Sequence, residues 1–337
     1  MKYLALDIGG ANIKVSDGLG YAASYYFPLW RESARLGHQL RAIISEAPFA
    51  DHLAITMTGE LADCFLTKAA GIQHILSAVA SAADNRHTRV YLADGRLVTP
   101  QVAATLPQLA AASNWHALAR YAARFAPTGA ALLIDIGSTT TDVVPLVAGQ
   151  VTAQGTTDTT RLLCGELVYT GVERSPVCAL VDKVPYRGQR CPVVQELFAT
   201  MLDVYLLLDH LVERPADTNT ADGKPATKVA ARMRLGRMIA ADGEEFNHRD
   251  AIAIAEAVAN SQVEKTVAAV RRVSSRLTVP PTTYIFSGHG EFLAVRALED
   301  LPPVANLVRL SEKLDPLVSR CAPAHALAVL AREALES

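Results

Sequence analysis

Two stretches of the chain decide its fold. Residues 6–14 read Leu-Asp-Ile-Gly-Gly-Ala-Asn-Ile-Lys, and residues 134–142 read Ile-Asp-Ile-Gly-Ser-Thr-Thr-Thr-Asp. Each begins at the end of an apolar run typical of a buried strand, passes through a glycine-rich turn and returns to a strand pattern. The aspartates Asp7 and Asp135 lie 128 residues apart. This internal repeat predicts two related half-domains.

Outward from these stretches, strand and helix patterns alternate. Three short runs at 2–8, 12–15 and 21–29 predict an antiparallel meander at the start of the chain. The further strands are predicted at 53–57, 89–92, 131–134, 143–144 and 282–286. The helices are predicted at about 31–46, 68–83, 101–112, 114–126, 195–212, 226–240, 250–273 and 323–335. The polar segment 217–225 reads as a loop, either a lid or a disordered connector. The pattern favours an α/β layer architecture.

Composition excludes several classes of protein. The 337 residues suggest about two domains, and the formal net charge of −2 argues against a nucleic-acid binder or a membrane-surface binder. No apolar run approaches the ~20 residues needed to span a bilayer, and the first residues do not resemble a signal peptide. Five dispersed cysteines predict reduced thiols, and no cysteine or histidine cluster supports a zinc site. We therefore expect a cytoplasmic enzyme, with a homodimer as the default state.

The two glycine turns are suited to phosphate. Glycines let the backbone approach a phosphate group, and successive N–H groups can point at its oxygens. The aspartates would repel phosphate unless they bind a cation, so Asp7 and Asp135 are predicted to hold Mg²⁺. The predicted phosphate-binding residues are Gly9, Gly10, Asn12, Lys14, Gly137, Ser138, Thr139 and Thr140. For Lys14, a solvated strand position is an equally good interpretation.

A third element closes the last strand. Residues 287–291 read Ser-Gly-His-Gly-Glu and open a helix. Gly288, Gly290 and Glu291 are predicted to contact a nucleotide or the far end of a substrate, against the alternative of an ordinary strand-to-helix turn.

These three elements, in this order, resemble the actin/hexokinase/Hsp70 superfamily over essentially the whole chain. The resemblance implies a two-lobed, actin-like ATPase fold of the ribonuclease H-like kind, with a duplicated βββαβαβ-type core. The expected lobes are residues 1–128 and residues 129–337. The second carries a helical insert and a final helix that could pack back on the first lobe.

A closer resemblance is carried by residues 7–14, 135–142 and the stretch 56–63, Thr-Met-Thr-Gly-Glu-Leu-Ala-Asp. These are similar to the hydantoinase/oxoprolinase-related group linked to tetrahydromethanopterin one-carbon metabolism, whose archaeal members act in methanofuran biosynthesis. The resemblance implies an alkyl transferase that joins an aminomethylfuran-methyl diphosphate to the phenol oxygen of a tyramine- or tyrosine-type acceptor and releases diphosphate. Lys14 would then stabilise the leaving group, and Glu60 or Asp142 would be the base.

Several alternatives stay open at this stage. The same fold could serve an ATP-dependent small-molecule kinase of the sugar-kinase type, or a nucleotide-sensing regulator without catalysis. Glu60 and Asp63 could instead be helix N-terminal charges. A basic group at Lys228, Arg232, Arg234 and Arg237 is interpreted as a solvated helix face in preference to an anion clamp.

Overall fold

The first half of the chain folds around a six-stranded mixed sheet, in a computed structural model that describes residues 2–336. The strands are β1 (Tyr3–Ile8), β2 (Asn12–Ser16), β3 (Ala22–Tyr26), β4 (His52–Met57), β5 (His87–Tyr91) and β6 (Leu97–Val98). Their order is β3-β2-β1-β4-β5-β6. The central strand β1 is buried along its whole length, antiparallel to β2 and parallel to β4. The predicted opening meander is confirmed.

The helices of the first half are α1 (Leu29–Glu32), α2 (Leu36–Glu46), α3 (Lys68–Ala82), α4 (Pro100–Thr105), α5 (Pro107–Ala110) and α6 (Asn114–Ala122). The prediction of one helix over 101–112 was wrong, because the chain turns at Leu106 between α4 and α5. Pro107 has no backbone N–H to continue the first helix, but it fits the first turn of the second.

The second half repeats the arrangement of the first. Its strands are β7 (Ala130–Ile136), β8 (Thr141–Val147), β9 (Gln150–Val151), β10 (Leu167–Val168), β11 (Lys183–Tyr186), β12 (Gln189–Pro192), β13 (Thr283–Ser287) and β14 (Asn306–Arg309). The main sheet has the order β10-β8-β7-β13-β14. Here β7 is antiparallel to β8 and parallel to β13, as β1 is to β2 and β4. Two mixed sheets of matching topology confirm the predicted two-lobed, actin-like α/β fold.

The helices of the second half are α7 (Asp158–Cys164), α8 (Met201–Leu207), α9 (Lys228–Arg237), α10 (His248–Ser274), α11 (Glu291–Ala297), α12 (Leu310–Lys313), α13 (Pro316–Arg320) and α14 (Ala322–Glu336). The predicted helix over 195–212 was wrong in length, because only α8 is helical within it. Asp203 accepts a hydrogen bond from the Thr200 N–H at 3.0 Å and so fixes the helix start. At the other end Asp209 adopts φ +62°, which a helix cannot continue.

The basic group on α9 is not a solvated face, so that interpretation was wrong for its central residue. Arg234 is fully buried and pairs with Asp203 at 2.7 Å and with Asp222 at 2.9 Å. Because Asp222 belongs to the loop 217–225, this pairing fixes the loop to α9. The loop also reaches the first half of the chain, where the Tyr26 hydroxyl donates to Asn219 at 3.1 Å.

Two helices fill the space between the sheets. Leu327 and Leu330 of α14 cluster with Tyr3 and Tyr91 of the first sheet. On the other side, α6 and α14 share an apolar cluster with strands of the second sheet. The final helix therefore lies against both sheets. Within residues 2–336, no helix has the length and apolar character needed to cross a membrane.

Candidate active site: a cleft between two glycine turns

The two glycine turns face one cleft of about 620 Å³. They have the same internal geometry, because the Gly9 N–H donates to the Asn12 carbonyl at 2.9 Å and the Gly137 N–H donates to the Thr140 carbonyl at 2.9 Å. The predicted phosphate-binding residues Gly9, Gly10, Asn12, Lys14, Gly137, Ser138, Thr139 and Thr140 all line the cleft. The structure thus brings both turns together around one space.

Asp7 and Asp135 lie at the ends of β1 and β7 and line the same cleft. In each, the Oδ1 atom is buried and has no hydrogen-bond partner. Burial raises the pKa of Asp7, and it raises the pKa of Asp135 to about 6 with a further contribution from the negative charge of Asp142. In both cases the positive charge of Lys14 lowers the pKa. The positive charge of Lys14 therefore compensates the negative charge of these two carboxylates only in part.

These two carboxylates suit a magnesium ion that takes its other ligands from water and substrate. They do not form a site made of protein ligands alone. No group of three or more histidine, cysteine, aspartate or glutamate side chains in the described part of the chain could hold a metal by itself. Mg²⁺ commonly uses one or two protein carboxylates and takes its other ligands from water and substrate phosphates. The unpartnered oxygens of Asp7 and Asp135, beside two phosphate turns, match that requirement.

The two lobes differ at one equivalent position. In the first hairpin Asp7 is paired with Lys14, and in the second Asp135 is paired in the same register with Asp142. The side chain of Asp142 is held by Arg161, whose Nη1 donates to it at 2.7 Å. The first turn thus carries Lys14 beside its aspartate. The second turn carries Asp142 there, and this acid forms an ion pair with Arg161.

Two tryptophan–arginine pairs cross the cleft, and the sequence interpretation missed them. The Arg161 guanidinium lies 3.9 Å from the centre of the Trp115 ring, and the Arg174 guanidinium lies 5.2 Å from that of Trp30. All four residues line the cleft. The sequence did offer a signal for these positions, because it contains only two tryptophans and both of them line the cleft.

The third predicted element proves to be a second copy of the stretch around Glu60. Thr56 is paired with Asp7 in the first sheet, and Ser287 is paired with Asp135 in the second. Three residues later in each copy, a glycine N–H donates to the strand, Gly59 to Ile8 at 3.1 Å and Gly290 to Ile136 at 2.8 Å.

Glu60 and Glu291 follow these glycines at equivalent places. The two copies share only the Gly-Glu pair in sequence. That identity is too short to be recognised without the fold.

Glu60 lies beneath the cleft and does not form its wall. Its side chain is 1% exposed, whereas the neighbouring Thr58 and Leu61 line the cleft. A Cβ atom at Gly71 of α3 would stand 2.1 Å from the Glu60 carbonyl oxygen, so α3 packs directly on this backbone. Burial raises the pKa of Glu60 to about 7. The role of Glu60 as the base stays a prediction.

A second cavity of about 470 Å³ adjoins the second turn. Gly288 and Glu291 line it, whereas Gly290 packs against Ile136 and Val172 and is not in its wall. Gly288 has φ +90°, and a Cβ atom there would lie 2.7 Å from the Asp135 Oδ1. Only glycine fits here. Gly288, in the wall of the second cavity, therefore packs directly against Asp135, in the wall of the cleft.

The carboxylate of Glu291 is held by hydrogen bonds and an ion pair within the protein. It accepts hydrogen bonds from the Ser311 N–H at 3.0 Å and from the Ser311 hydroxyl, and it pairs with Arg309 at 3.4 Å. Its carboxylate thus ties the start of α11 to the start of α12.

Comparisons with known proteins show the family to which the chain belongs. The sequence profile of the hydantoinase/oxoprolinase family matches residues 51–333. A protein of Methanocaldococcus jannaschii named (4-{4-[2-(gamma-L-glutamylamino)ethyl]phenoxymethyl}furan-2-yl)methanamine synthase is 32% identical over 336 residues, 99% of this chain and 98% of the relative. A Methanococcus vannielii protein of the same name is 29% identical over 208 residues, 61% of this chain and 92% of the relative.

Among solved structures, nucleotide-free acetone carboxylase superposes with a TM-score of 0.51 at 13% identity, covering 94% of this chain and 51% of that chain. This likeness concerns the fold alone. The family profile covers most of the chain, and the Methanocaldococcus jannaschii relative aligns with nearly all of it. The chain belongs to the hydantoinase/oxoprolinase family and is a homologue of the furan-methanamine synthase.

Proposed function

We propose that this protein is a transferase of methanofuran or methylofuran biosynthesis. It joins an aminomethylfuran-methyl diphosphate to the phenol oxygen of a tyramine- or tyrosine-type acceptor and releases diphosphate. The relative's name describes a phenoxymethyl-furan, which is an ether between a phenol and a furylmethyl carbon. The observation that carries the proposal is the pair of opposed phosphate turns in a cleft that also has aromatic and apolar walls.

The turns would bind the diphosphate. The backbone and hydroxyls of residues 138–140 and the glycines of residues 9–10 line the space where its oxygens would lie. Lys14 adds a positive charge on the first lobe. These groups would stabilise the negative charge that grows on the leaving diphosphate as the bond to the furylmethyl carbon breaks.

Mg²⁺, held by Asp7 and Asp135 when bound, would neutralise part of the diphosphate charge. The protein groups around it would orient the leaving group. Of the two bases predicted from sequence, Asp142 lines the cleft but is paired with Arg161, and Glu60 lies beneath the wall. To accept a proton directly from the substrate, Asp142 would have to leave Arg161, or Glu60 would have to become exposed to the cleft.

The first test is product identification. The purified protein is incubated with Mg²⁺, the aminomethylfuran-methyl diphosphate and tyramine or γ-glutamyltyramine, and the products are identified by mass spectrometry. The aryl ether, formed only when both substrates are present, supports the proposal. Diphosphate substrate that stays intact with every phenol would refute it.

A kinase on the same fold is the second candidate, favoured by the second cavity, whose wall residue Gly288 lies against Asp135 of the cleft. A nucleotide could extend from that cavity to the turns. ATP binding and turnover in the presence of small alcohols, without ether formation, would establish this alternative.

A further inference from the structure

Apolar side chains from both lobes are exposed at the mouth of the cleft. Leu61 of the first lobe is 59% exposed, and Leu162 and Tyr169 of the second are 44% and 66% exposed. All three line the cleft. Exposed apolar groups that converge on a polar site from two sides are typical of a ligand-binding groove. Their surfaces suit a flat, apolar ring better than a sugar.

Two opposite charges face this mouth from different lobes. Lys68 is the first residue of α3 and Asp158 is the first residue of α7, and both line the cleft. Neither side chain forms a hydrogen bond or an ion pair with residues 2–336, and the two do not approach within 4.0 Å of each other. The positive charge of Lys68 nevertheless acts on Asp158. The two opposite charges thus face the same cleft from different lobes.

Asp158 also has the surroundings of a proton acceptor. Burial raises the pKa of Asp158 and the negative charge of Asp142 raises it further, while Lys68 and Arg161 lower it. Glu60 is the other acid nearby, since its own pKa is raised in part by Asp158. A carboxylate with a raised pKa is a better base toward a phenol, whose pKa is near ~10.

The other carboxylates of the cleft are less suited to this task. Asp7 and Asp135 stand beside the phosphate turns, and Asp142 is paired with Arg161 at 2.7 Å. Asp63 is exposed to solvent at the cleft edge. Asp158 is the cleft carboxylate that is half-buried, unpaired and next to the apolar mouth.

We propose that this mouth is the subsite for the phenolic acceptor, with Asp158 as its proton acceptor. The inference rests on the proposed transferase function. The ring lies among Leu61, Leu162 and Tyr169, with its hydroxyl between Asp158 and Lys68. The phenol oxygen forms the C–O bond to the furylmethyl carbon, and the C–O bond to diphosphate breaks with its electron pair leaving on diphosphate. The phenolic proton moves to Asp158 and then to solvent, while Lys68 stabilises the developing phenoxide.

The test compares acceptors of different acidity. Diphosphate release is measured for the wild type and Asp158→Asn with tyramine and with a ring-fluorinated tyramine of lower phenol pKa. General-base catalysis contributes about 10²–10⁴-fold, so Asp158→Asn is expected to lose about a hundredfold or more in kcat with tyramine. With the more acidic phenol, of which a larger fraction is already ionised, the loss should be smaller. Asp315→Asn, at the start of α13, is the matched control that removes an aspartate charge from another helix N-terminus.

An equal loss of rate with both phenols, or no loss with either, would overturn the role of Asp158. A second variant tests the subsite without touching the base: Leu162→Ala should raise the KM for tyramine severalfold and leave the KM for the diphosphate substrate unchanged. Equal effects on both KM values would overturn the subsite. Failure of the wild type to release diphosphate with any phenol would instead count against the proposed function itself.

Discussion

Asp7 and Asp135 each keep a buried carboxylate oxygen without a hydrogen bond, and the two side chains line one cleft. The positive charge of Lys14 lowers the pKa of both. At the scale of single residues, this incomplete compensation is the feature that favours the proposed cation and diphosphate site over an ordinary pair of hairpins. It leads to a prediction that does not depend on turnover.

We predict that Mg²⁺ together with diphosphate stabilises the wild type against thermal unfolding. A ligand that binds only the folded state at 100 times its Kd adds about 2.7 kcal/mol to the free energy of unfolding. Asp7→Asn and Asp135→Asn should lose most of this gain, because each removes a proposed ligand of the ion. Asp315→Asn should keep it. A stabilisation that is the same in all four proteins would show that the ion binds elsewhere.

A second prediction concerns Glu60 and pH. Burial raises its pKa from the ordinary 4.5 to about 7, so the folded protein favours the protonated form. The associated stability is present below pH ~4.5 and is lost as the pH rises through about 7. Glu60→Gln, which carries no charge, should therefore be more stable than the wild type at pH 8 by roughly 3 kcal/mol and similar to it near pH 4.5.

Urea unfolding of the wild type and Glu60→Gln at both pH values measures this. A stability difference that does not change between the two pH values would mean that Glu60 does not titrate in this range.

Residue-level prediction from sequence succeeded where local pattern determines position. The turns of residues 7–14 and 135–142 could be located because Asp, Gly and strand residues follow each other in fixed order. Asp158, Lys68 and Arg161 could not, because nothing near them in sequence indicates that α3 and α7 start on opposite sides of one cleft. Arg234 was misjudged for the same reason: its partners Asp203 and Asp222 come from elsewhere in the chain.

At the scale of elements, Arg234 connects α8, α9 and the loop 217–225. It is fully buried between Asp203 and Asp222, and Arg237 at the helix surface shares only Asp222. We predict that Arg234→Met costs about 3–5 kcal/mol, because two acids lose a buried partner. Arg237→Met, at an exposed site, should cost under about 1 kcal/mol.

Chemical denaturation gives these values, and limited proteolysis by an endoproteinase that cuts before aspartate, at Asp217 and Asp222, reports on the loop. Faster cleavage in Arg234→Met than in Arg237→Met is expected. Equal cleavage and equal stability would indicate that the loop is held by other contacts.

Elements also explain the two errors in helix length. The segment 195–212 has a helical distribution of apolar residues, yet Thr200 and Asp203 start the helix inside it. The segment 101–112 was divided by Pro107. Apolar periodicity locates a buried face, whereas capping side chains and proline decide where a helix begins and ends.

At the scale of the whole molecule, the chain is a duplication whose two copies have diverged in charge. The equivalent hairpins carry Lys14 in one lobe and Asp142 in the other, and the equivalent Gly-Glu turns carry Glu60 and Glu291. Glu291 is bonded within its own lobe, whereas Glu60 keeps an unpartnered oxygen. The first lobe thus contributes the positive charge of Lys14 to the cleft and places Glu60 beneath it, and the second lobe contributes hydroxyls and the arginines that stack on the two tryptophans.

We propose that this cleft exchanges a diphosphate for a phenol. The decisive quantity is the ratio of diphosphate released to aryl ether formed, in single reactions with Mg²⁺ and without ATP. We expect one diphosphate for each ether, none without the phenol, and loss of both products together in Asp135→Asn. Diphosphate released without a phenol, or ether formation that requires ATP, would contradict it.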